Sequence, residues 1–303
     1  MESSPSSTSL QYQFRSISLP SRLHPHNTRI DFELNKFKTW QSSLVSSTVP
    51  TSGETIRTGL VALTDLYSCV EELIQSPTTQ QALVHHRNGV LVEEALEGSI
   101  GFLDSCSMAH DLLLMMKENV QDLQSVLRRK GGDLSIERNT RLNAYDSSKK
   151  KVKKVSAKCL RALKKREKQI ESRSPFDVNY YLSDVIRALR EVSMITISVL
   201  RLVFLFLSAP DSRTQPGGWS LIKKLVATRP TEHRTSNEIG SFDVVLQSLN
   251  GYSPNNNSII DVQMARRRLQ VLGDSMGGLE DGLACLYRQL IRNRVSLLNI
   301  FAY

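Results

Sequence analysis

The stretch covering residues 192–207 constrains the fold most strongly, because a helix formed by it has no polar face. Twelve of its sixteen residues are apolar, and only three hydroxyl residues and Arg201 interrupt them. Such a helix is either covered by protein on all sides or lies in lipid. An arginine in mid-span costs about 2.5 to 3.5 kcal/mol on membrane-insertion scales. We therefore favour a central bundle helix in which Arg201 is paired or reaches a surface. The alternative is a membrane span over residues 192–209.

Apolar residues recur at spacings of three and four in the remaining chain, which predicts helices, and no strand pattern competes. Long helices are predicted at about residues 89–130, 135–171 and 177–207, after two shorter amphipathic helices. A fourth long helix follows residue 257, and its four glycines predict a kink or a close helix contact. The predicted fold is all-α: an elongated antiparallel bundle of about four long helices with short accessory helices and a disordered N-terminal tail. The seam of the last helix, which a single polar residue interrupts, comprises Val262, Ala265, Leu269, Leu272, Met276, Leu279, Leu283, Leu286, Leu290, Asn293, Leu297 and Ile300.

The chain divides into a tail and one helical domain. Residues 1–28 contain eight serines and a single acidic residue, so we expect a disordered tail, and the same composition resembles an organellar transit peptide. Residues 29–303 form the bundle domain. Within it, residues 209–257 are rich in proline, glycine and asparagine, which predicts a loop-rich excursion with two short helical pieces, near residues 221–227 and 242–249.

The positive charge of the chain is concentrated in residues 149–168. This segment contains eleven Lys or Arg and one acid, Glu167, so its net charge is 11 − 1 = +10. The net charge of the whole chain is +9, so the rest of the chain sums to 9 − 10 = −1. Its apolar residues share one helix face and the cations occupy the rest. This pattern is typical of a solvated bundle face, an anionic-membrane contact or a nuclear localisation signal, whereas RNA binding is least favoured because no aromatic residues are interleaved. The candidate anionic-surface patch comprises Lys149, Lys150, Lys151, Lys153, Lys154, Lys158, Arg161, Lys164 and Lys165.

The tail contains a candidate phosphorylation-dependent docking site. Arg15, Ser18 and Pro20 match the positions of the R-S-x-pS-x-P pattern that 14-3-3 proteins read. Phosphate on Ser18 would meet an arginine cluster, and Pro20 would turn the chain out of the groove. The alternative is a chance match, because short Ser/Arg motifs recur in disordered tails.

No catalytic, cofactor-binding or metal-binding residue is predicted. The sequence shows no nucleophile with a base, no metal-ligand cluster and no phosphate loop, so we expect a protein that is not an enzyme. The four cysteines are far apart without a C-x-x-C pair, and no secretory leader is recognised, which indicates free thiols in a reducing compartment.

Five segments resemble a plant-specific family of unknown function that is related to the Bypass proteins. The resemblance covers almost the whole chain and implies a role in root and shoot development, including restraint of a root-derived mobile signal. It implies no enzymatic activity and no active residues. The segments are residues 15–25 (RSISLPSRLHP), 66–83 (LYSCVEELIQSPTTQQAL), 117–129 (KENVQDLQSVLRR), 158–164 (KCLRALK) and 279–300 (LEDGLACLYRQLIRNRVSLLNI).

Together these features predict a non-enzymatic helical interaction or regulatory protein. The alternative is a membrane-associated protein anchored by residues 192–209 or by the basic helix at 149–168. We expect an intracellular protein, cytoplasmic or peripheral to a membrane, with a single-pass, plastid or nuclear location as alternatives. The expected partners are other proteins, among them 14-3-3, and an anionic membrane surface. Nucleic acid is not expected, and the sequence assigns no oligomeric state.

Overall fold

The structure, a computed structural model, describes residues 25–46, 51–85, 90–129, 134–172, 180–208, 237–250 and 258–302. All regular structure in these ranges is helical, so the predicted all-α class is confirmed. The helices are α1 (Pro25–Ser46), α2 (Gly53–Gln75), α3 (Pro77–His85), α4 (Val90–Arg128), α5 (Leu134–Glu171), α6 (Tyr180–Leu207), α7 (Glu238–Asn250) and α8 (Ser258–Ala302).

The observed boundaries follow the local signals in the sequence. Ser52 caps α2, because its hydroxyl accepts a hydrogen bond from the Thr55 amide at 3.2 Å. Ser76 ends that helix, and Pro77 opens α3. The bundle begins at Pro25, the first residue of α1, and not at residue 29 as predicted. The tail up to residue 24 and the predicted helix near 221–227 lie outside the described residues, whereas α7 matches the second short helix of the excursion.

Helix α8 is the hub of the bundle and packs against α2, α4 and α7. Its predicted seam is confirmed, since every member from Ala265 to Ile300 is buried. Helix α4 runs antiparallel to α8, as two contacts show: the Cys106 thiol donates to the Leu283 carbonyl, and the Gln124 amide donates to that of Leu269.

Helix α2 lies in the core and runs parallel to α8. The Asn293 amide donates to the Tyr67 carbonyl at 3.0 Å, and a Cβ placed on Gly53 would lie 2.8 Å from Ser275 Cβ. A Cβ at Gly278 would lie 2.8 Å from Arg57 Cδ, and one at Gly282 would lie 3.0 Å from Leu60 Cδ1, which confirms a close helix contact at two of the four glycines. This helix is therefore central, although its length predicts an accessory role.

Helix α6 is a central bundle helix, as favoured from its composition. Leu200, Val203 and Phe204 are fully buried. The buried Thr196 hydroxyl shares a 2.9 Å hydrogen bond with the Tyr67 hydroxyl. Arg201 is paired, because its Nη1 donates to both carboxylate oxygens of Glu167 on α5 at 2.9 and 2.8 Å.

Across the described ranges, no helix is long and apolar enough to cross a membrane. This holds for residues 192–208 of the stretch 192–209, for which a membrane span is the alternative. The apolar side chains of α6 in that stretch pack against α2, α4 and α5.

Candidate anionic-surface interface

The inner face of α5 packs onto the bundle through its apolar residues. Val152 and Leu163 are buried, and the half-buried Val155 and Cys159 lie against the same core. Exposed ion pairs accompany this packing, such as that of Arg129, the residue after α4, with Glu137 at 2.9 Å. Because the apolar residues hold one face of α5 against α4 and α6, the opposite face is directed to solvent.

The outer face of α5 carries nearly all the cations of the basic segment. At about 100° per residue, these positions centre opposite Val152 and Leu163. Six of the cations follow one another at spacings of four, four, three, four and three, from Lys150 to Lys168, over about 27 Å of helix. We call the exposed set the α5 cation face; it comprises Lys150, Lys151, Lys153, Lys154, Lys158, Arg161, Lys164, Lys165 and Lys168.

Lys149, predicted for the patch, belongs instead to a structural ion pair between α5 and α7. Its Nζ lies 2.5 Å from Asp243 Oδ2, and the side chains are only 17% and 11% exposed. The Tyr145 hydroxyl donates to the other carboxylate oxygen at 3.2 Å. Lys149 is therefore not part of the exposed patch. Its ammonium group stabilises the buried carboxylate of Asp243.

Arg166 is also not part of the α5 cation face, because its side chain lies against α4. Its guanidinium carbon is 5.3 Å from the centre of the Phe102 ring, within cation–π range. A Cβ at Gly98 would lie 3.1 Å from Nη2, and one at Gly101 would lie 2.7 Å from Nη1. The two glycines three residues apart in a long helix therefore make room for this side chain, and that spacing was the signal in the sequence.

A small cavity of about 50 Å³ lies between α2, α4, α6 and α8. Its walls are mostly apolar, with Phe102, Leu189 and Leu290 among them, and Asn293 contributes a polar group. Asn293 Oδ1 has no hydrogen-bond partner among the described residues, while its amide donates to two carbonyls at 3.0 Å. About 10 to 15 Å³ holds one water, so the cavity fits a few waters and not a cofactor.

Comparison with known proteins identifies a family for this chain. A family model described as Protein BPS1 matches residues 59–300, which is well over half of the chain. The chain belongs to the BPS1 family. No curated protein and no solved structure matches it. The predicted resemblance to relatives of the Bypass proteins is confirmed by this match.

The family match in this BPS1-family protein includes some candidate residues and leaves out others. The whole α5 cation face lies inside residues 59–300. Arg15, Ser18 and Pro20 precede the match and also lie outside the described residues, so the docking site stays a prediction.

The thiols of this BPS1-family protein are free, and none forms a disulfide. Burial raises the pKa of Cys106 to about 12, and burial also raises the pKa of Cys69 and Cys159. These three thiols therefore remain protonated near neutral pH and are poor nucleophiles. Within the described residues, no cluster of three or more His, Cys, Asp or Glu could hold a metal ion.

Proposed function

We propose that this protein is a non-enzymatic interaction protein that works at an anionic membrane surface, to which the α5 cation face binds. Membership of the BPS1 family and the resemblance to Bypass relatives support a role in root and shoot development. The protein would act there as a peripheral adaptor, with partners held by other faces of the bundle. The observation that carries the proposal is the alignment of nine exposed cations on the solvent side of one packed helix.

The charge of this face suits a lipid surface because no acid interrupts it. Glu167, the only acid among residues 149–168, accepts both hydrogen bonds from Arg201 and faces the bundle. Each cation near an anionic leaflet contributes about 1 kcal/mol, so five or six cations facing lipid would hold the protein at low salt. Higher ionic strength screens these contacts and would release it.

Two other polyanion readings fit the geometry less well. Nuclear import prefers an extended basic peptide, and Lys150 to Lys153 lie within α5, a continuous helix. Single-stranded nucleic acid is bound by aromatic side chains interleaved with cations, and residues 149–168 contain no aromatic residue.

Vesicle flotation tests the proposal. The full-length protein is mixed with neutral phosphatidylcholine vesicles and with vesicles that also contain phosphatidylserine, in low and high salt. We expect flotation only with the anionic vesicles, and loss of it in high salt. Equal flotation with neutral vesicles, or none with either, would show that the cations only solvate the bundle.

A second proposed partner is a 14-3-3 protein, bound through phosphorylated Ser18. Phosphate adds about −1.5 to −2 charge and three acceptor oxygens, enough for several charge-assisted hydrogen bonds to arginines. A peptide of residues 11–24 should bind 14-3-3 in fluorescence anisotropy only when Ser18 is phosphorylated, and Ser18→Asp should not replace the phosphate. Equal affinity of the plain peptide would remove this partner.

A further inference from the structure

Five exposed apolar side chains lie together where α4 meets α8. Ile100 is on α4, and Tyr287, Ile291, Val295 and Leu298 are on α8, each between 37% and 48% exposed. We call these five residues the α4/α8 patch. Single exposed apolar residues are ordinary on a protein surface, whereas contiguous exposed apolar patches often coincide with interaction sites.

The helix contacts place the patch along the groove between α4 and α8. The two helices are antiparallel, with Cys106 level with Leu283 and Leu96 level with Arg294, whose Nη1 donates to the Leu96 carbonyl. Between these points Ile100 is level with Ile291. On α8, the residues 287, 291, 295 and 298 follow at spacings of four, four and three, so they share the side that is turned towards α4.

Opposite charges flank the patch on its two sides. Arg288 and Arg292 are exposed on α8, on the side away from α4, whereas Glu97 and Asp104 are exposed on the outer side of α4. None of the four forms an ion pair with another residue in the described ranges. The register of the two antiparallel helices places Arg288 level with Asp104 along the helix axis, and Arg292 level with Glu97.

We propose that this chain forms a symmetric dimer through the α4/α8 patch. A two-fold axis parallel to α4 and α8 places the basic flank of one copy over the acidic flank of the other. Rotation about this axis leaves the position of each residue along the helices unchanged, so Arg288 faces Asp104 of the partner subunit, and Arg292 faces Glu97 of the partner subunit. A two-fold axis perpendicular to the helices, in the plane of the patch, would place acidic flank on acidic flank. The patch is therefore complementary to itself in one orientation, with equivalent helices of the two copies parallel, and this complementarity assigns a second copy as the occupant.

Sedimentation velocity of the full-length protein tests the apolar part of the interface. We expect a dimer within about 1 to 100 µM, the range of a modest specific interface. Ile291→Glu buries a charge at the centre of the patch and should weaken association at least about hundredfold. The control is Val244→Glu on α7, which also replaces an aliphatic side chain by a carboxylate, at a position that is 54% exposed and outside the patch, and it should leave association unchanged. Circular dichroism checks that both variants stay helical.

A charge swap tests the orientation. Arg292→Glu and Glu97→Arg should each weaken the dimer about tenfold or more, because each sets like charges against each other in both symmetry-related pairs. The double variant restores opposite charges and should recover most of the lost affinity. A wild-type chain that stays monomeric at the highest concentration overturns the proposal. A dimer that Ile291→Glu leaves intact overturns it too, as does a double variant that associates no better than the single ones.

Discussion

Helices α5 and α6 pack against each other and are opposite extremes of composition. Residues 149–168 of α5 contain eleven cations, whereas residues 192–207 of α6 contain one charged residue. Each stretch has a single member that opposes its pattern, Glu167 in the first and Arg201 in the second, and these two residues pair with each other at 2.8 and 2.9 Å. A charge that contradicts its surroundings in the sequence can therefore mark a contact between elements.

The two helices also differ in how many sides are covered. Helix α6 contacts α2, α4 and α5, so almost every side of its second half is buried. Helix α5 contacts α4 and α6 on one side and leaves the α5 cation face to solvent. Substitutions in α6 should therefore change stability, while those on the outside of α5 should change binding.

Charge insertion should separate the helices most strongly. Leu200→Asp on α6 places an unpaired carboxylate at a fully buried position, and we expect it to cost more than about 5 kcal/mol and to prevent folding. Lys154→Asp, the same new side chain at an exposed site on α5, should change the free energy of unfolding by less than about 0.5 kcal/mol. Circular dichroism measures the helix content of both variants, and urea unfolding measures the free energy of any variant that folds; Leu202→Asp, at a half-buried site, should fall between the two. Similar losses in α5 and α6 would contradict the difference in burial.

Neutralising the α5 cation face should weaken membrane binding without changing stability. Replacing Lys150, Lys154 and Lys158 by Gln removes three cations from one line, so the partition coefficient onto anionic vesicles should fall roughly hundredfold, at about 1 kcal/mol per cation. The matched control makes the same net-charge change elsewhere, by replacing Arg57, Arg267 and Arg268, all exposed, with Gln. Equal losses in the two variants would mean that net charge, and not the α5 cation face, governs binding.

A double-mutant cycle should measure the pair that joins the two helices. Arg201→Met and Glu167→Gln remove one partner each, and the side chains are 31% and 24% exposed, between surface and buried cases. We expect a coupling of about 1 to 2 kcal/mol in the free energy of unfolding. A coupling near zero would show that the bidentate geometry adds no stability.

Thiol reactivity should give the smallest effect and distinguishes the inner side of α5 from solvent. Cys159 lies on that inner side and burial raises its pKa, so it should react with a disulfide reagent more slowly than the exposed Cys285. Equal rates at Cys159 and Cys285 would contradict the packing.

Burial raises the pKa of Cys106 to about 12 in the folded protein, whereas the pKa of this thiol in an unfolded chain is near 9.0. Stability should therefore fall as the pH rises from about 9 towards 12, and Cys106→Ala should reduce that slope.

The amino-acid sequence by itself determined the helical class, the four long helices, the seam of α8 and the separation of apolar and basic sides on α5. These properties depend on spacings of three and four within one helix, and such spacings can be read without knowing where a helix lies. The apolar stretch in α6 determined that this helix must be covered. Its composition alone left protein and lipid as alternatives, because both cover apolar residues equally well.

Only the tertiary structure decided which charges meet. Arg201 and Glu167 are 34 residues apart, and Lys149 and Asp243 are 94 apart, so their contacts depend on the register of helices across intervening connections. The same holds for the central, parallel position of α2 and for the groove between α4 and α8. Register is set by the packing of many side chains at once, and no local spacing in the sequence encodes it.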